Sequence, residues 1–162
     1  MKTAYLSLGS NLGDREAHLR KALLHLDAAG VQVVKLSSVY ETEPQEVRNQ
    51  AWFLNLAVQV ETTLFPLQLL HLVQRIEIEL GRKRAKVKGP RSIDIDILMF
   101  GRFVVKTSEL ELPHPRMHLR RFVLGPLAEI CPLLRHPVLR KTARELLAGL
   151  TGQEVRRTGF VL

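Results

Sequence analysis

Hydrophobic and polar positions along the chain alternate between the period of a strand and that of a helix. Residues 3–9, Thr-Ala-Tyr-Leu-Ser-Leu-Gly, read as a short strand that ends in the turn Gly9-Ser10-Asn11-Leu12-Gly13. Asp14 is placed to cap a helix running to about Ala29, with Leu19, Ala22, Leu23 and Leu26 as its apolar stripe. Val31–Tyr40 predicts a second strand, and 45–51 a polar surface loop. Trp52–Thr62 predicts a third strand: Trp52, Leu54, Leu56, Val58 and Val60 form one face, Phe53, Asn55, Ala57, Gln59 and Glu61 the other. Pro66 opens a helix that stops before Gly81, striped by Leu69, Leu72, Val73, Ile76 and Leu80. Ile93, Ile95 and Ile97 then alternate with Asp94 and Asp96 in a fourth strand, followed by a short one at Phe103–Lys106. Helices are expected over 118–130 and near Lys141–Leu150. This order predicts an α+β fold, a ferredoxin-like βαββαβ antiparallel sheet with helices on one face and extra C-terminal helices, in a single domain of residues 1–162.

Composition narrows the class. The chain has 162 residues, 46% hydrophobic and 25% charged, an ordinary globular balance with enough length to bury a core. No apolar run approaches a membrane span, and the chain opens directly into a strand, so a cytoplasmic protein is expected. The single cysteine, Cys131, excludes an internal disulfide and reads best as a small buried apolar residue. Lys and Arg outnumber Asp and Glu by 24 to 16, a net charge of +8. Six of the cations, Arg82, Lys83, Arg84, Lys86, Lys88 and Arg91, fall within ten positions. Such a run predicts a polyanionic partner or, more simply, a solvated surface. Because it leads into the Asp94–Asp96 strand, nucleotide phosphates with a metal are the favoured reading.

Aspartate is depleted in strands, so two on one face need a reason. Their Cα atoms should lie about 6.5–7 Å apart, close enough to share an ion. Unaided, neighbouring carboxylates repel, and one tends to take up a proton. A divalent cation removes the conflict, and Mg²⁺ prefers one or two carboxylates completed by substrate phosphates. Arg91 could meet the same phosphates as a planar fork. The plainer alternative is an edge strand with a solvated charged face.

Other candidates are weaker alone. Phe53 and Asn55 share a face, and a ring beside an amide suits a flat heterocycle, though such pairs are often only a sheet rim. Gln74 and Glu77 lie one turn apart on a polar flank and could reach one ligand. Pro113-His114-Pro115 holds His114 and Arg116 in an extended frame. Neither G-x-x-x-x-G-K-[ST] nor G-x-G-x-x-G occurs, so any ATP is bound without a Walker loop. Gly101-Arg102-Phe103-Val104 offers a competing reading as part of an RNA-recognition motif, but the remaining aromatics of that motif are missing.

Taken together the motifs resemble the 6-hydroxymethyl-7,8-dihydropterin pyrophosphokinase family, from Leu6 to about Leu127. The resemblance rests on Leu8-Gly9-Ser10-Asn11-Leu12-Gly13, Tyr40-Glu41-Thr42-Glu43-Pro44, Phe53-Leu54-Asn55, Gln74-Arg75-Ile76-Glu77, Gly81-Arg82, the run Gly89-Pro90-Arg91-Ser92-Ile93-Asp94-Ile95-Asp96-Ile97-Leu98, Pro113-His114-Pro115 and Arg120-Arg121-Phe122. It implies transfer of pyrophosphate from ATP to the pterin hydroxymethyl, leaving AMP, in tetrahydrofolate biosynthesis. By this resemblance Asp94 and Asp96 hold two Mg²⁺ ions, and Arg82 and Arg91 support transfer. Gln74, Glu77, Arg84, Arg91, His114 and Arg120 match ATP-binding positions. Thr42, Phe53, Asn55 and Phe122 match the pterin pocket, the two phenylalanines sandwiching the ring. The implied partners are the two small-molecule substrates, with no nucleic acid or membrane; the sequence leaves the oligomeric state open, a monomer being slightly favoured. The chain departs from the family pattern at Val87 and Lys88, where a basic residue and tryptophan are common, and lacks the glycine usual after Pro44. Six crowded cations predict a loop 82–91 that is mobile when empty and ordered by Mg²⁺-ATP.

Overall fold

The computed structural model describes residues 1–43, 51–81 and 92–162. Arg82, Arg84, Arg91 and the expected closure of loop 82–91 lie outside the described residues, as does most of the predicted polar loop 45–51.

The first strand, β1 (Lys2–Ser10), lies in the middle of an antiparallel sheet, with β5 (Asp94–Phe100) on one side and β4 (Phe53–Thr62) on the other. Two short strands, β2 (Gln32–Leu36) and β3 (Tyr40–Thr42), share the far edge of β4, and β8 (Val155–Arg157) extends the sheet beyond β3. A separate hairpin joins β6 (Val105–Lys106) to β7 (Glu111–Leu112).

Alternation decides what each face of the sheet meets. Ala4, Leu6 and Leu8 of β1, Leu54, Leu56, Val58 and Val60 of β4, and Ile95 and Ile97 of β5 point into one core. Against them pack α1 (Arg15–Ala28), through Leu19, Ala22 and Leu26, and α2 (Pro66–Glu79), through Leu69, Leu72, Val73 and Ile76. These are the stripes that the 3.6-residue period selects. Each such leucine or isoleucine, fully buried, contributes about 1.5–3 kcal/mol. Asp14 accepts the Ala17 amide at 3.1 Å and starts α1, while Pro66 begins α2 where no amide donor is needed.

The opposite face is covered by α3 (Arg121–Ile130) and α4 (Ala143–Ala148), with Val123, Leu124, Leu127 and Ala143 packed on Ala57, Leu98 and Met99. The expected C-terminal helices are therefore present, but they form a second layer on the other side of the sheet. Leu98 and Met99 both face it because the ladder slips between Tyr5 and Leu6, and a bulge turns two successive side chains the same way.

Four predicted elements differ: the short strand expected at Phe103–Lys106 is only Val105–Lys106, paired with Glu111–Leu112 outside the main sheet. The strand expected over Val31–Tyr40 is two strands, because the Ser37 hydroxyl takes the Ala57 amide at 2.9 Å in place of a ladder carbonyl. The helix expected over 118–130 is a 3-10 turn, Met117–Leu119, and then α3, separated by Arg120 in an extended conformation. The last helix is shorter than Lys141–Leu150, since Thr142 and Glu145 form a capping box that starts it at Ala143. The strand β8 has no counterpart in the sequence reading. Among the described residues no helix is long and apolar enough to cross a membrane.

Candidate active site

The C-terminal-layer side of the sheet carries the polar chemistry. Gly9 of β1 lies in register with Asp94 on one neighbour and Asn55 on the other, and Ser7 lies in register with Asp96 and Ala57. Asp94, Gly9 and Asn55 thus form one row across three strands. With strands about 4.7–4.9 Å apart, the outer two Cα atoms are separated by roughly 10 Å. Glycine at the centre is required sterically: a Cβ there would stand 2.9 Å from Asn55 Oδ1 and 3.6 Å from Phe53 Cδ1.

At the Asn55 end, Phe53 is half-buried and Asn55 is buried. Asn55 Nδ2 donates to Thr42 Oγ1 at 2.8 Å, both groups being shielded from solvent. That bond fixes the amide, so Oδ1 is the atom aimed at any ligand N–H. Phe122, in the first turn of α3, packs against the cluster containing Ala57 on this same face. The Arg120 guanidinium carbon lies 5.5 Å from the Phe122 ring centroid, a cation–π distance. Thr42, Phe53 and Asn55 therefore come together from β3 and β4, and Phe122 lies on the same face from α3.

At the other end, Asp94 and Asp96 are half-buried on one face of β5. His114 follows the cis Leu112–Pro113 peptide, and its amide donates to Leu98 O at 2.8 Å, which lays this segment along β5. Its Nδ1 accepts the Arg116 amide at 3.2 Å, leaving Nε2 as the protonated nitrogen. Burial, reinforced by the Arg120 and Arg116 charges, lowers the His114 pKa to about 4 against a smaller opposing pull from Asp94, so the ring is neutral near pH 7. A cleft of about 340 Å³ opens beside this edge, lined by Asp96, His114 and Pro115, by Leu70 of α2, and by 107–111.

Two candidates from α2 differ. Gln74 is exposed, as a polar flank predicts, but Glu77 is buried and its Oε2 accepts the Ile95 amide at 2.8 Å. The reason is topological: β5 is an edge strand, and its outward amide needs an acceptor that α2 supplies. Ile95 lies between the two aspartates, so Glu77 holds the strand segment that carries them.

Sequence reasoning missed a cluster of charged side chains behind Thr42 and Phe53. Glu41 Oε2 accepts from Arg15 at 3.0 Å and Oε1 from Arg156 at 2.7 Å, and the Arg156 hydrogen bond is the chief reason its carboxyl sits below the usual range. Arg15 also donates to Trp52 O at 2.7 Å. Asn11 Nδ2 reaches Ala51 O at 3.2 Å, so the glycine turn after β1 braces the entry to β4. Only the Tyr40–Pro44 motif hinted at Glu41, and nothing in the tail pointed to Arg156. The RNA-recognition alternative fares poorly: Phe103 lies outside the strands, stacked on Phe100 at 5.7 Å.

One face of the sheet thus carries two carboxylates at one end and a buried amide beside an aromatic ring at the other. Residues 5–132 match the model of the 7,8-dihydro-6-hydroxymethylpterin-pyrophosphokinase (HPPK) family. Over 130 residues the chain is 57% identical to the 2-amino-4-hydroxy-6-hydroxymethyldihydropteridine pyrophosphokinase of Bacillus subtilis (strain 168), covering 79% of this chain and 77% of that one. It is 42% identical over 145 residues to the enzyme of that name from Aquifex aeolicus (strain VF5), covering 90% of each. The crystal structure of wild-type Plasmodium falciparum HPPK-DHPS superposes with a TM-score of 0.73 at 20% identity. That likeness shows the fold; it covers 91% of this chain, which spans 44% of the Plasmodium chain. The chain belongs to the HPPK family. Its activity is pyrophosphate transfer to hydroxymethyldihydropterin, a step of folate biosynthesis.

Proposed function

We propose that transfer takes place along the Asp94–Gly9–Asn55 row, with ATP as donor and AMP as the leaving product. The row itself carries the reading: Asp94, one of the candidate metal-binding pair, and Asn55, the candidate heterocycle reader, stand in one register, roughly 10 Å apart. Asn55 and Thr42 read the polar edge of the pterin, and Phe53 and Phe122 enclose its ring. ATP occupies the cleft beside β5, whose 340 Å³ lies within the usual range for ligand pockets. His114 and Arg120 face the phosphates, with Gln74 on the nucleotide side and Glu77 in support. Arg82, Arg84 and Arg91 complete the phosphate contacts by resemblance. The hydroxymethyl oxygen bonds to the β-phosphorus as the bond from that phosphorus to the α–β bridging oxygen breaks, giving the pterin diphosphate and AMP.

Asp94 and Asp96 suit Mg²⁺ by their donor chemistry: two hard carboxylates on one face, neighboured by a glycine that leaves space and a serine hydroxyl. Two bound Mg²⁺ ions would neutralise phosphate charge and stabilise attacking and leaving oxygens. The strand order β5-β1-β4, with β2 and β3 beyond, supports reading the sheet as a ferredoxin-like βαββαβ one, and we take residues 1–162 as one cytoplasmic domain.

The direct test is incubation with ATP, Mg²⁺ and 6-hydroxymethyl-7,8-dihydropterin, followed by nucleotide analysis. AMP should form in step with the pterin diphosphate. Stoichiometric ADP, or no pterin-dependent turnover by folded protein, rejects the reading.

A further inference from the structure

The strand β8 lies at the sheet margin with no part in either substrate site, yet it is tied to the back of one of them. Strand β3 has three residues, and its ladder to β4 pairs Glu41 with Leu54 and Thr42 with Phe53. Its other edge is closed by β8, where Tyr40, Glu41 and Thr42 pair with Arg157, Arg156 and Val155. Glu43 prolongs the pairing through the Glu154 amide, which reaches its carboxylate at 3.0 Å.

Side chains alternate, so Thr42 and Asn55 occupy the front of the sheet while Glu41 and Trp52 occupy the back. Arg156 joins those two: its Nη2 lies 2.7 Å from Glu41 Oε1 and its guanidinium carbon 4.6 Å above the Trp52 ring. Arg15 closes the cluster from the start of α1, reaching both Glu41 and the Trp52 carbonyl. Each back-face residue is the chain neighbour of a front-face one, Glu41 of Thr42 and Trp52 of Phe53.

We propose that Arg156 is a positioning residue for the pterin pocket, clamping Glu41 to Trp52 behind the sheet and so fixing the Thr42–Asn55 pair and Phe53 in front. This rests on the assignment of those residues to the pterin. The Arg156 side chain is 59% exposed, and exposed ion pairs add little to global stability. Its effect therefore belongs in pocket geometry. A hydrogen-bonded pocket tolerates little displacement, since a misaligned partner leaves a buried polar group unsatisfied.

The experiment compares the full-length wild type with Arg156→Ala, Arg156→Lys and Glu41→Gln. It measures kcat and both KM values, plus pterin affinity by calorimetry with a non-hydrolysable ATP analogue present. For Arg156→Ala and Glu41→Gln, pterin Kd and KM should rise about five- to tenfold while kcat and the KM for ATP stay within about twofold. Arg156→Lys should recover part of the loss, because it keeps the charge at Glu41 but loses the planar stack on Trp52. Combining Arg156→Ala with Glu41→Gln should add little. Arg20→Ala, which releases a bond to the Val161 carbonyl and an exposed ion pair with Glu16, should leave pterin affinity unchanged. Wild-type protein that binds no pterin overturns the pocket assignment and this inference with it. Wild type that binds pterin while Arg156→Ala binds equally well, or loses both substrates in equal measure, overturns this inference alone.

Discussion

A Cβ placed on Gly9 would stand 2.9 Å from the side-chain oxygen of Asn55. Gly9 and Asn55 are ladder partners on adjacent strands, and the amide lies across the space where a side chain would be. Gly9→Ala must therefore displace the Asn55 amide or the backbone beside it, disturbing the amide's bond to Thr42. We expect a stability loss of about 1–3 kcal/mol, as for other overpacked sites, and pterin affinity at least tenfold weaker, with ATP affinity largely kept. Chemical denaturation and calorimetry of the variant check both, and unchanged pterin binding would contradict the assigned role of the amide.

Asn55→Ala separates reading from packing. It removes the oxygen assigned to the pterin edge and leaves Thr42 Oγ1 without its 2.8 Å donor in a buried setting. Pterin binding should fall by about 10²-fold or more, as polar sites discriminate when a partner is lost, with little change for the nucleotide. Equal losses in calorimetry would make Asn55 only structural.

Asp94→Ala and Asp96→Ala should fold, because both side chains are half-buried at the surface of the site. Turnover should drop about 10²–10³-fold or more, the scale of removing a transition-state charge stabiliser. Retained turnover under saturating Mg²⁺ in either variant would remove the metal assignment.

Glu77 tests whether the aspartate strand needs bracing. Glu77→Ala strands the Ile95 amide and should cost about 1–3 kcal/mol, together with activity. Glu77→Gln keeps an acceptor and should restore most of the stability. A Glu77→Ala protein as stable as wild type would show that water replaces the carboxylate there.

His136 should give a pH signature away from the site. Its Nδ1 accepts the Val138 and Leu139 amides at 3.2 and 3.0 Å, and burial, with the nearby His118 charge, lowers its pKa. The unfolded chain then takes up the proton first. The stability His136 contributes is present above about pH 6.5 and is lost as pH falls towards its lower folded value. His136→Asn, whose side-chain oxygen can accept the same amides, should flatten that part of the stability–pH curve. Parallel wild-type and variant curves between about pH 6.5 and 5 would refute it.

Local pattern alone determined the two helices under the sheet, the even and odd faces of β4, and the aspartate strand with its two carboxylates on one side. Those features depend on periods of 2 and 3.6 and on residues within a few positions of one another. Motif resemblance added Thr42, Phe122, His114 and the arginines, because their order and spacing persist along the chain. Tertiary structure decided the rest. It set Gly9 between Asp94 and Asn55, because register is a relation between strands that no single segment encodes. It buried Glu77, whose helix period marked it as solvent-facing, because the amide in need of an acceptor belongs to a strand 18 residues away. Strand β8 is three residues long, too short to show a period, and is stabilised by partners 115 positions earlier. Its place behind the Thr42–Asn55 pair exists only once the sheet has closed around β3.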